Sequence, residues 1–287
     1  MKPADLLRHW LQRQLPPPAL DWLETQCSLL AAAPRDRQLY VAISLVSRKL
    51  GKEDLHLDAT DLAQARDARA DWDPRGWSID QAARILLLLS ASAAAEKWSA
   101  WLDQLCQTAD VGELVAFYRG LPLYPYADLH RLRAAEGVRS NMKAVFEAVA
   151  HRSPYPKEQL PEPAWNQMVL KALFVGSALH PIQGLDERAN SALMRMLCDY
   201  AHERWAATRT VSPELWRCVG RYADSAAIAD LQRVLETGTA TERQAAALAL
   251  VDSTSPAAGK VLASDRSLQR AVASGTFTWN SIGALAP

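Results

Sequence analysis

The chain has 287 residues, among them 50 Ala and 40 Leu against 6 Ile and 15 Val, with only 12 Gly. So strong a bias toward helix formers over β-branched residues predicts an all-α protein and sets sheet-based folds aside. Lys plus Arg and Asp plus Glu total 32 each, so the chain lacks the basic excess of a general nucleic-acid binder and no nucleic-acid partner is expected.

The N-terminal stretch carries Arg8 and Arg13 inside an amphipathic repeat, which leaves no uncharged core for a cleaved export signal. Apolar residues at helical spacing then recur along the chain in segments that predict about fourteen helices. From Glu53 to Asp80 eight acids face Arg66, Arg69 and Arg75, which reads as an exposed helix and loop, or as a partner surface. Ser78 with Gln81, and Asp110 with Glu113, have the spacing of capping boxes. The most apolar run, Ile85 to Ala95, is closed by Arg84 and by Glu96-Lys97. It is too short for the ~20 residues of a membrane span and predicts a core helix in a cytoplasmic protein. Gly51, Gly120, Gly176 and Gly238 each follow a periodic stretch, where a left-handed residue closes a helix.

Between Arg119 and Arg152 six basic residues, Arg119, Arg131, Arg133, Arg139, Lys143 and Arg152, are interleaved with Tyr118, Tyr124, Tyr126, His130 and His151. That mixture suits an aromatic or anionic small molecule, with Tyr118 and Arg139 as candidate contacts; the alternative is a solvated helix face with tyrosines packed on prolines. Four prolines follow within Arg152 to Pro163. Such density excludes helix and marks a lobe boundary, a linker or an ordered loop, within one domain spanning residues 1–287.

Ala164 to Arg188 is the most informative segment. Trp165, Met168, Val169, Leu170, Ala172, Leu173, Phe174 and Val175 make its first half apolar nearly all round, predicting a buried central helix in which Asn166, Gln167 and Lys171 need polar partners. Those partners are either a neighbouring loop or a ligand. In the second half, Pro181 pushes His180 toward extended backbone, and Gly184 permits a turn that brings His180 and Gln183 back toward the helix. Asn166, Gln167, Lys171, His180 and Gln183 are therefore the candidate ligand contacts. Asp186 is read as a helix cap.

No phosphate-binding loop, dinucleotide fingerprint, zinc-protease helix or nucleophile elbow is present, and no cofactor is expected. Cys27, Cys106, Cys198 and Cys218 are too widely spaced for a zinc ribbon and read as reduced, mainly buried thiols. Cys198, Asp199 and His202 share a helix face, yet third and fourth ligands are missing nearby, so no metal site is expected. The ten tryptophans fall mostly in amphipathic stretches and read as packing. In the last third, Ser212-Pro213-Glu214 predicts a helix start, and the Ala-rich stretch from Ala245 to Leu250 with its neighbours suggests stacked HEAT-like pairs in an irregular α-solenoid.

WNQMVLKALFVG at 165–176, HPIQGLDER at 180–188 and YAHERW at 200–205 resemble the EboA family of bacterial proteins, most strongly over residues 140 to 225. The N-terminal third and the repeat-like C-terminus carry no such resemblance. The resemblance implies a role in trafficking secondary metabolites toward the cell envelope, beside partners of the same pathway that include a prenyltransferase-like membrane protein. It brings no catalytic residues. The expected function is a non-catalytic scaffold or small-molecule-binding protein. The alternative is a cytoplasmic enzyme acting on an aromatic or prenylated metabolite, with His180 as acid or base and Lys171 or Arg139 stabilising negative charge. A third reading is a peripheral membrane adaptor.

Overall fold

The computed structural model describes residues 1–285, which form eighteen α-helices and four 3-10 helices. No strand occurs among the described residues, only an isolated bridge between Asp54 and Ser78. The fold is all-α, as composition implies. The helices exceed the fourteen expected because several are too short to show an apolar period. The chain divides into two compact units after Leu160, inside the proline-rich stretch.

The first unit contains α1 (Pro3–Gln14), α2 (Pro17–Ala32), α3 (Asp36–Leu50), α4 (Ala59–Ala68), α5 (Ile79–Ser90), α6 (Ala95–Thr108), α7 (Val111–Arg119), α8 (Arg131–Arg139), α9 (Lys143–Ala150) and α10 (Tyr155–Gln159). Its core is built on α5, the predicted apolar helix, which packs against α1, α2, α3 and α7 and buries Ile85 to Leu88 completely. Burial of a side chain of this size contributes about 1.5–3 kcal/mol. Both predicted caps form: Ser78 N donates to Gln81, and Asp110 and Glu113 exchange backbone and side-chain hydrogen bonds of 3.2 and 2.8 Å. Trp10 packs on Trp72 at 5.4 Å, and Trp98 on Tyr124 at 5.0 Å, so these indoles are core.

Two local expectations fail. The proline-rich stretch does contain helix: α10 places Pro156 in its first turn, where the missing N–H has no intrahelical partner to lose. Gly51 and Gly176 have positive φ, but Gly120 (φ −76°) and Gly238 (φ −74°) do not. At Gly120 the requirement is space, since a Cβ would meet the Tyr124 hydroxyl at 2.2 Å. Arg84, which closes the apolar run in sequence, is itself 3% exposed and paired with Asp80 one turn earlier at 2.5 Å.

The second unit contains α11 (Glu162–Phe174), α12 (Leu185–Arg188), α13 (Ser191–Ala206), α14 (Ser225–Thr237), α15 (Ala240–Asp252), α16 (Pro256–Ala263), α17 (Arg266–Ala273) and α18 (Trp279–Leu285), with 3-10 turns at Pro213–Cys218 and Gly220–Tyr222. α15 is its hub, touching α14, α16, α17, α18 and both 3-10 turns. Small residues make this approach close: Ala245, Ala246, Ala247 and Ala249 are fully buried, and a Cβ on Gly220 would lie 2.2 Å from the Ala249 carbonyl. α11 is one-sided rather than buried all round. Trp165, Met168, Val169 and Ala172 face the core, while Gln167 is exposed and Phe174 is 63% exposed.

Candidate functional site

The predicted site residues are divided between the two units. Tyr118 and Arg139 lie in the first unit; Asn166, Gln167, Lys171, His180 and Gln183 lie in the second. Tyr118 is core, packed so tightly on α8 that a Cβ at Gly137 would come within 2.9 Å of its ring, and burial pushes its hydroxyl up to about 12. Arg139 is exposed at the end of α8. In α11, Asn166 is buried and finds its partner in Asn190: the two amides donate to each other's carbonyl oxygens at 3.1 and 2.9 Å. Asn190 in turn accepts from Leu193 N and caps α13. Asn166 therefore ties α11 to the start of the next long helix. Lys171 and Gln183 are half-buried, and Gln167 faces outward.

His180 is held by Glu214. A helix does start at Ser212-Pro213-Glu214, as a 3-10 turn with Ser212 at the N-cap and Glu214 in its first turn, and the packing of that turn leaves Glu214 only 2% exposed. Its carboxylate accepts from Leu179 N at 2.9 Å and His180 N at 2.5 Å, with His180 Nδ1 at 3.4 Å. Two backbone amides and an imidazole on one buried carboxylate pin the loop that follows α11. α18 closes on the same point, since a side chain on Gly283 would collide with His180 Cβ at 2.5 Å.

On the other side of Glu214 lies a cavity of about 400 Å³. Leu173, Ala178, Tyr200, Val211 and Pro213 supply its apolar walls, and Arg204, Glu214 and Glu242 its charged groups. Each wall is set locally. α11 ends at Phe174, and Gly176 at φ +64° turns the chain so that Ser177 N returns to Ala172 O at 2.8 Å. Tyr200, on α13, donates to Leu173 O at 3.3 Å and packs edge-on against Phe174 at 4.8 Å. One turn later Arg204 lies 6.0 Å from the Tyr200 ring centre and donates to Thr210 O at 2.9 Å, which fixes the guanidinium at the cavity edge. Glu242 is already engaged, accepting from Thr239 N at 2.7 Å in the cap of α15. No histidine or cysteine lines this cavity. Its chemistry is that of a binding site: an apolar lining with one fixed cation, Arg204, and two carboxylates, Glu214 and Glu242, already engaged by backbone amides.

None of the seven predicted contacts lines the cavity. Tyr200 and Arg204 were missed, although both stand in the quoted YAHERW segment and their i, i+4 spacing puts them on one helix face. His202 pairs with Asp230 at 2.7 Å. Among the described residues, no group of three or more His, Cys, Asp or Glu is placed to hold a metal. All four cysteines are free and buried, and burial pushes Cys106, Cys198 and Cys218 up to about 12. None is a poised nucleophile at neutral pH.

The family described as "Metabolite traffic protein EboA" matches residues 3–220, a span that takes in both the cavity walls up to Glu214 and the whole first unit. The N-terminal third, which showed no resemblance by its motifs, is thus part of the match. No curated protein and no solved structure matches the chain. No described helix is long and apolar enough to cross a membrane.

Proposed function

The chain belongs to the EboA family, and from that premise we propose that it is a non-catalytic carrier or scaffold that holds a small metabolite in the cavity of its second unit. The observation that carries this reading is the pairing of an apolar wall (Leu173, Tyr200, Val211 and Pro213) with the fixed Arg204 guanidinium. An amphipathic molecule with an apolar body and an anionic end satisfies both. In this reading His180 acts on the ligand through the loop after α11 that Glu214 holds, while Asn166 supports α11 through Asn190. The helix pairs around α15 serve as a HEAT-like face for other proteins of the pathway, the prenyltransferase-like membrane protein among them, with the carrier itself in the cytoplasm.

The test uses 8-anilinonaphthalene-1-sulfonate, an aromatic anion whose fluorescence rises in apolar surroundings. The native protein should bind it saturably. Thr210→Trp, at the exposed edge of the cavity, should reduce affinity about tenfold or more, and Arg204→Gln by a smaller factor of about 3–10. Equal binding by both variants, at unchanged melting temperature, rejects the cavity as the site.

One observation favours the enzyme alternative: Glu214 stands 3.4 Å from His180 Nδ1, in position to orient an acid–base histidine. His180→Gln separates the readings, because glutamine retains hydrogen bonding but not proton transfer. If stability and probe binding survive while metabolite conversion in cells falls by ~10² or more, the enzyme reading replaces the carrier.

A further inference from the structure

The first unit contains a small cleft, about 80 Å³, lined by Asp73, Arg75, Trp77, Arg119, Glu147, His151, Arg152 and Ser153. It gathers Arg119, His151 and Arg152 from the basic stretch and adds Arg75 from the acidic one. We propose that this cleft binds an oxyanion, the phosphate or carboxylate end of a small molecule, separately from the cavity of the second unit.

Each guanidinium is fixed before any ligand arrives. Arg119 Nη1 donates to Gly76 O and to Gln81 Oε1, both at 2.6 Å, so it is tied to the cap of α5. Arg75 straddles the Asp73 carboxylate, its Nε donating at 2.8 and 2.9 Å to the two oxygens. Arg152 approaches the same carboxylate at 3.8 Å and does so from a left-handed backbone, φ +51°, which a residue with a Cβ adopts only when its surroundings force it. Three guanidiniums thus meet two carboxylates. Asp73 is taken up by Arg75, and Glu147 is drawn toward Lys143 at 3.8 Å.

A positive excess remains in a half-enclosed space. Burial, and next the charge of Arg152, hold the Arg119 guanidinium below its usual range, with the Glu147 carboxylate acting in the opposite sense. The volume admits a single oxyanion group, and the planar forks of arginine match phosphate and carboxylate oxygens in pairs. Trp77 on the wall gives the rest of the molecule an apolar surface to leave along.

Calorimetric titration of the full chain with inorganic phosphate, and separately with acetate, at constant ionic strength in chloride, tests the proposal. One of the two should bind saturably at one site, and its preference identifies the head group. The double variant Arg75→Gln/Arg152→Gln should lose about tenfold or more in affinity; it also takes both guanidiniums from Asp73, so its melting temperature should fall, and binding is compared at a temperature where both proteins are folded. Arg131→Gln, exposed and outside the cleft, should bind as the native protein does. No saturation by either anion up to about 10 mM, no change in the double variant, or equal loss in Arg131→Gln each overturns the site.

Discussion

In the first unit two buried charges, Arg84 and Asp80, face each other, whereas in the second the most deeply buried charge, Glu214, faces the backbone. Arg84 and Asp80 pair on α5 at 2.5 Å, and Arg84 reaches Ser47 of α3 at 2.9 Å and Glu113 of α7 at 3.6 Å. This network joins helices that already share a core, and it locks their register. Glu214 instead accepts two amides from residues 179 and 180, a loop with no helical ladder of its own beside the cavity. The contrast separates a polar group that sets how helices pack from one that sets the shape of a site.

The sharpest way to break this comparison is Arg84→Met. It strands the buried Asp80 carboxylate and should cost about 3–5 kcal/mol in a urea titration, with most of the loss recovered when Asp80→Leu is added. A cost under about 1 kcal/mol would falsify the view that the ion pair organises the first unit. A smaller effect is expected for Glu214→Gln, about 1–3 kcal/mol, because one amide partner must then face an NH₂ group. Hydrogen exchange should quicken at residues 177 to 184 and leave α5 unchanged; a uniform increase would erase the distinction between register and site.

The smallest effect concerns pH. His130 is buried against Trp98 and bonded to Pro125 O at 2.8 Å, and burial holds its imidazole below the usual 6.5. The unfolded chain then binds more protons than the native one below pH 6.5, so the stabilisation is complete above that value and is lost as pH falls through the folded pKa. The slope is at most about 1.4 kcal/mol per pH unit. His130→Gln should flatten it, and an unaltered slope between pH 6.5 and 5 assigns the acid sensitivity to other groups.

Residues 162 to 214 show where a linear reading stops. The period of apolar residues identified α11 and Asn166 as a polar intrusion, because both are properties of one helix. The amide that answers Asn166 is 24 residues away, and the carboxylate that answers His180 N is 34 away. Nothing in local spacing connects them. The helix start at Ser212-Pro213-Glu214 was legible, but only the packing of that 3-10 turn decides that Glu214 lies inside and meets the loop at 179–180.

By itself the sequence determined what short-range physics controls. The excess of Ala and Leu over Ile and Val made the chain helical, side chains three residues apart set the caps at Ser78 and Asp110, and the 165–205 motifs carried the family resemblance. Tertiary structure decided the rest: which face of α11 is buried, why Gly120 and Gly220 must lack a side chain, and how Tyr200, Arg204 and Val211 enclose a cavity while Arg75, Arg119 and Arg152 crowd a cleft. The reason is range. Helix propensity and capping act over one or two turns, but a site is made of groups far apart in the chain whose partners exist only after the helices have packed.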